Sequence, residues 1–303
     1  MSQVNISFII SLTIILIGYI SKKTGILKES DGEAISRIVF NITLPATIIT
    51  VFSNVKVDPA LFSMPVASFL YSLAMTFFAL YVFRNKPVKE KGMLTILVPA
   101  YNIGLFAYPL VSSIWGDEGL RYFGMFDIGN SFIIFGSNYI IASKYSGEVS
   151  SVDYKSILKK VATSISLLAY TGTLIFKITG LNFPDFLLNI AGTLSKGNTP
   201  LSLLLLGLYL SFNFNAGHLA NMLKVLAMRY VPGLLTGILI YLFLPANMLY
   251  RTTLMVGMIL PISLATIPYS VQFKYDSKFV GTLNNITIVA SFILMWIMVS
   301  IIT

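Results

Sequence analysis

The chain has 303 residues, of which 56% are hydrophobic and 11% charged, with no cysteine and a formal net charge of +9. Soluble domains carry about a quarter charged residues, so this composition excludes that class and points to a polytopic membrane protein. The lack of cysteine excludes disulfides, thiolate metal sites and cysteine nucleophiles.

Apolar runs long enough to cross roughly 30 Å of hydrocarbon predict ten spans. Their approximate limits are Asn5–Ile20, Glu33–Ser53, Pro59–Phe83, Gly92–Trp115, Leu120–Ala142, Val161–Lys177, Asp185–Phe212, Leu219–Leu244, Asn247–Phe273 and Lys278–Ile302. The first lacks the positive n-region and the cleavage site of a signal peptide, so it is expected to stay in the mature chain. In span 2, Asn41 and Pro45 predict a break in the helix.

Span 4 is the most informative. It reads LVPAYNIGLFAYPLV from Leu97 and carries Pro99, Asn102, Gly104 and Pro109. An interior proline costs a helix about 3 kcal/mol and a glycine about 1 kcal/mol, so the span is expected to be broken at membrane depth. Unwound backbone is tolerated there only when it is buried in protein or lines a water-filled cavity. Half-helices expose partly positive N–H groups at one end and partly negative C=O groups at the other, and the positive end suits a carboxylate. Asn102 can donate and accept hydrogen bonds, and Gly104 permits close approach.

Span 5 holds Asp127, the one acidic residue within an apolar span, with Asn130 on the same helical face. An intramembrane carboxylate is a functional hypothesis by default. Asp127 is read as carrier of a coupling proton, as a hydrogen-bonding support of the broken span, or as a water-exposed group at the outer end. Residues 143–160 form a polar cytoplasmic linker. In span 7, Gly197, Asn198 and Pro200 predict a second scaffold break, and Lys196 beside it either pairs with an anion or snorkels to the interface. The single histidine, His218, is expected in a cytoplasmic loop.

Span 9 repeats the oddity of span 4, reading LPISLATIPYSV from Leu260 with Pro261, Ser263 and Pro268. Asn138, Asn284, Asn285 and Thr287 are expected to act mainly as hydrogen-bonding glue between helices. Two broken spans at corresponding positions of two halves mark the binding site of a secondary transporter.

Most of the 21 lysines and arginines follow odd-numbered spans, including Lys22 and Lys23, Arg84 and Lys86, Lys144, Lys224 and Arg229. The positive-inside rule then places those loops in the cytoplasm and both termini outside. This accounts for the basic excess without nucleic-acid binding.

The halves resemble each other at a nearly constant offset: 155 from Pro45 to Pro200, 159 from Pro109 to Pro268 and 157 from Asp127 to Asn284. A repeat of five crossings must insert its second copy upside down, which gives units 1–142 and 161–303 inverted about the 143–160 linker. No metal-ligand set, phosphate loop or activated nucleophile is present, so neither an enzyme nor a cofactor is expected.

Four blocks resemble the auxin efflux carrier family, whose bacterial members are described as malate permease-like. They are FNITLPATIITVFS from Phe40, PAYNIGLFAYPLVSSIWGDEGLRYFGMFDIGNSF from Pro99, NTPLSLLLLGLYL from Asn198 and MILPISLATIPYSV from Met258. The resemblance implies an all-α membrane protein of ten helices in two inverted five-helix repeats, a fold shared with bile acid–sodium symporters. It implies that spans 1, 2, 6 and 7 form a scaffold carrying a homodimer contact, that the other spans move, and that helices 4 and 9 cross beside an organic-anion site. Asn102 and Pro109 then fall on the first crossover motif, and Pro261 and Pro268 flank the second. The long cytoplasmic insert of plant members is absent, so its regulation does not carry over. Span 9 has Ser263 where an asparagine would match Asn102, and auxin itself is not implied.

The expected function is secondary transport of small organic anions, dicarboxylates such as malate above all, across the cytoplasmic membrane. Asn102, Ser263 and the opened helix ends would hold the anion, Lys196 would add charge, and Asp127, Asn130 and Asn284 would couple or support. A membrane sensor or channel on the same scaffold is the alternative.

Overall fold

A computed structural model describes residues 2–53, 59–147, 155, 158–159, 162–211 and 218–302. Among them the chain is helical, and its one extended pairing is an isolated antiparallel bridge between Tyr101 and Ile262. In chain order the helices are α1 (Gln3–Lys23), α2 (Asp31–Ile38), α3 (Leu44–Ser53), α4 (Pro59–Val82), α5 (Val88–Ile96), α6 (Tyr108–Phe132) and α7 (Tyr139–Tyr145). The second half gives α8 (Ile165–Ile178), α9 (Asp185–Ser195), α10 (Asn198–Tyr209), α11 (Leu219–Phe243), α12 (Met248–Gly257), α13 (Thr266–Gln272) and α14 (Ser277–Ile302).

Five stretches are long and apolar enough to cross a membrane without interruption: Gln3–Lys23, Asp31–Ser53, Leu61–Val82, Leu219–Phe243 and Ser277–Ile302. Span 6 is the shorter helix Ile165–Ile178, span 5 continues through a π turn at Ile133–Asn138, and three spans are divided. Span 4 splits between α5 and the helix that starts at Ile103, span 7 between α9 and α10, and span 9 between α12 and α13. Spans 4 and 5 join at Gly116, whose φ of 58° lies in the left-handed region that glycine enters without a Cβ clash.

The break expected at Asn41 and Pro45 is instead a π-helical turn, Val39–Thr43, and the backbone stays helical from Asp31 to Ser53. Pro45 has no N–H, and its ring would strike the carbonyl one turn back in a regular α-helix. The widened turn relieves that clash, and Asn41 Nδ2 donates to the Arg37 carbonyl at 2.9 Å. The same device recurs at Ile103–Ala107, whose π turn ends two residues before Pro109. Pro109 is therefore not a break: it lies at the start of α6, and the chain opens upstream, around Pro99.

Among the contacts that tie the halves together, two are close. α1 packs on α10 with almost no space between backbones: a Cβ on Gly207 would lie 1.9 Å from the Ile15 carbonyl oxygen. α14 returns to α1, where Phe8 stacks on Trp296 and Trp296 Nε1 donates to Asn5 Oδ1 at 2.7 Å.

Candidate functional site

α5 ends at Ile96 and α12 at Gly257, each a few residues before a proline that disfavours further helix. The released triplets Ala100–Tyr101–Asn102 and Pro261–Ile262–Ser263 run antiparallel and bond to each other. Asn102 N–H donates to the Pro261 carbonyl at 2.9 Å, and Ser263 N–H to the Ala100 carbonyl at 3.2 Å. The two interrupted spans thus meet at one point, and their paired backbone satisfies groups that lipid could not.

Side chains from following helices fix each triplet. Asn130 on α6 accepts from Tyr101 N–H at 2.9 Å and donates to the Tyr101 carbonyl at 3.0 Å. Thr287 on α14 accepts from Ile262 N–H at 3.1 Å. Asp127 holds the Asn130 amide at 3.3 Å and receives the hydroxyls of Tyr108 and Tyr170, each at 3.4 Å. Asn284 is fully buried and donates to Thr266 Oγ1 and the Val280 carbonyl, both at 3.0 Å. Asn138 caps α5 by donating to the Ile96 carbonyl.

Arg229 is not the cytoplasmic loop charge that the positive-inside pattern makes it: it lies on α11 with 1% of its surface exposed. Its guanidinium donates to the carbonyls of Leu97 at 3.0 Å, Ala100 at 3.1 Å, Leu260 at 2.7 Å, and also Val98. It lies 4.8 Å from the centre of the Tyr101 ring. Both half-helix C-termini present carbonyls here, so the cation meets two negative dipole ends at once. The signal was in the sequence: Arg229 lies well inside the predicted span 8, and a charge there must be paired.

Beside the crossing lies a cavity of about 1130 Å³. Asn102, Gly104 and Ser263 form part of its wall, together with Pro268 and Asp127. Asn41 and Leu44 face it from the span 2 helix, Ser164 and Ser166 from the start of α8, and Ser211 from just beyond α10. Asn285 also reaches the cavity, and it donates to the Ser211 carbonyl at 2.9 Å. His218, read as a loop residue, lines the cavity near Asp276, 3.6 Å away.

Asn102 is 5% exposed, and its Oδ1 accepts the Leu105 N–H at 3.3 Å. That bond fixes the amide orientation and leaves Nδ2 buried without a partner. An unpaired buried donor is costly, which marks Asn102 as strained at rest.

The remaining sequence candidates lie elsewhere. Pro109 and Pro261 are buried behind the cavity wall, and the Pro261 carbonyl belongs to the crossing bond. Lys196 is exposed at the turn between α9 and α10 and does not reach the cavity. Asn198 is buried and accepts from Thr43 Oγ1 at 3.1 Å, joining the α10 start to the π turn of span 2. Pro45 is buried beside that turn and Pro200 is exposed within α10. Among the described residues, no cluster of three or more His, Cys, Asp or Glu could hold a metal ion.

A profile of a family described as membrane transport protein matches residues 4–164, more than half of the chain. The chain belongs to this membrane transport protein family. An uncharacterized transporter of Methanocaldococcus jannaschii is 27% identical over 294 residues, covering 92% of each chain. An uncharacterized transporter of Methanothermobacter thermautotrophicus is 29% identical over 224 residues, 72% of each. The family match and the apolar helices make this a multi-pass membrane protein with a transport role.

Proposed function

We propose that this protein is a secondary transporter for small organic anions, dicarboxylates such as malate in particular, and that the anion binds where spans 4 and 9 cross. The observation that carries the reading is the crossing itself, where Asn102 N–H bonds the Pro261 carbonyl and Ser263 N–H the Ala100 carbonyl, with Asn102 and Ser263 on the wall of the cavity. Beside it the N-terminal end of the helix beginning at Ile103 lends partial positive charge. Ser263 Oγ offers a second donor from the opposite triplet, and about 1130 Å³ exceeds the needs of a four-carbon acid.

The working architecture is ten spans in two inverted repeats, residues 1–142 and 161–303. Its support is the correspondence of supporting residues: Asn130 and Thr287 grip Tyr101 and Ile262 and differ by 157 positions, the offset that also relates Asp127 to Asn284. Alternating access would tilt the crossing, with α4 to α7 and α11 to α14, against α1 to α3 and α8 to α10. The cavity lies between these groups. The reading includes a homodimer in the cytoplasmic membrane with both termini outside. An inside-negative potential drives anions outward at about 2.3 kcal/mol per charge per 100 mV, so export requires no coupled ion.

Labelled-malate counterflow in proteoliposomes tests the function. Uptake driven by internal unlabelled malate, with other dicarboxylates competing, is expected. Conductance without exchange would make the protein a channel, and binding without flux a sensor.

A further inference from the structure

We infer that Arg229 is a built-in cation, its guanidinium filling the carbonyl cage between the two half-helix ends and balancing the crossing without a bound monovalent ion. Converging carbonyls of unwound membrane helices form the donor set that holds coupling cations in secondary transporters. Here four such carbonyls, of Leu97, Val98, Ala100 and Leu260, converge on one side chain. Three come from the first interrupted span and one from the second, so the cage exists only when the spans cross. The charge is 1% exposed, and the ring of Tyr101 covers it. A planar fork of donors suits several carbonyls at different heights better than a spherical ion would. Arg229 is thus a positioning residue, which shapes the anion site through Ala100 and the Asn102 backbone beyond it. The consequence for transport, indifference to a sodium gradient at this locus, rests on the transporter reading. The cage itself can be tested without any substrate.

Thermal unfolding of the purified protein in detergent provides the test, with sodium, potassium, guanidinium or choline chloride compared at equal ionic strength. At low millimolar salt, where guanidinium does not denature, wild type is expected to unfold at the same temperature in every salt. Arg229→Ala is expected to unfold at a lower temperature and to be raised saturably by guanidinium, by at least about 3 °C, and not by choline. Arg229→Lys, which keeps the charge, is expected to yield more folded protein with a higher Tm than Arg229→Met, which keeps only the bulk. Saturable stabilisation of wild type by sodium or potassium would overturn the inference. So would a folded Arg229→Ala protein that ignores guanidinium. If Arg229→Ala does not accumulate, the Lys and Met variants decide, and equal loss in both overturns the inference. None of these readouts depends on which anion is carried, so a failed malate assay leaves them standing.

Discussion

Asn130 holds Tyr101 as a neighbouring strand would, accepting its N–H at 2.9 Å and donating to its carbonyl at 3.0 Å. One amide thus replaces a stretch of sheet for a backbone that has left the helix. Asn130→Ala leaves both Tyr101 groups buried and unpaired, at about 1–3 kcal/mol each. The expected result is a Tm lowered by several degrees and transport reduced by more than tenfold, measured on detergent-purified and reconstituted protein. Thr287→Val, which removes a single bond to Ile262, is expected to do less.

Asp127 bonds the Asn130 amide that holds Tyr101, and the proposed role for it is to orient that amide. Asp127→Asn is expected to reduce flux severalfold while leaving the shape of its pH profile between about 5.5 and 8 unchanged, a range in which a coupling group would titrate. Flux measured across that range decides. A flattened profile would make Asp127 the carrier of a coupling proton.

The bridge between Tyr101 and Ile262 is flanked by hydrogen bonds and so forms the close, non-hydrogen-bonded type of antiparallel pair. Such pairs bring Cβ atoms to about 4.5–5.5 Å, near the reach of a disulfide. Because the chain has no cysteine, Tyr101→Cys with Ile262→Cys is expected to give a single oxidisable crosslink. Its formation can be read by a mobility shift after cleavage between the halves.

Close approach of α1 and α10 makes Gly207 intolerant of any side chain. Gly207→Leu is expected to abolish folded protein, since the clash is with backbone that cannot yield. Gly192→Ala, on α9 with open space at its Cβ, is expected to be neutral or to stabilise by about 0.5–1 kcal/mol. Yield and Tm by size-exclusion and thermal unfolding separate the two.

In the first turn of α5, Glu90 receives Lys86 Nζ at 3.0 Å and Asn221 Nδ2 at 2.6 Å. Burial pushes its carboxyl up, but these bonds outweigh it and hold the group below its ordinary value. The unfolded chain binds the proton more readily, so this contribution is full above the unfolded value and is lost as pH falls through the folded one. The Tm gap between wild type and Glu90→Gln should therefore be present at neutral pH and close in acid.

The broken spans were legible because proline and glycine are costly in a helix and span 4 and span 9 each concentrate them. Where each break falls was less so. Pro109 and Pro45 read as breaks from composition alone, but a π turn can absorb a proline and keep the helix going, and no local pattern distinguishes the two outcomes. The spacing of Asn130 from Asp127 puts the two on one helical face, and that face meets the crossing. The charge of Lys196 points to an anion, but a long side chain at a turn can reach the surface, and it lies outside the cavity. The charge of Arg229 is invisible to a loop tally, which ignores depth within a span.

Substrate protection tests the central claim most directly. In the cysteine-free chain, Ala265→Cys lies on the cavity wall beside Ser263, and Lys196→Cys is an exposed reference outside it. Saturating malate or a competing dicarboxylate is predicted to slow maleimide labelling severalfold at position 265 and leave position 196 unchanged. Equal labelling at both positions across a full panel of mono- and dicarboxylates would contradict an organic-anion site at the crossing.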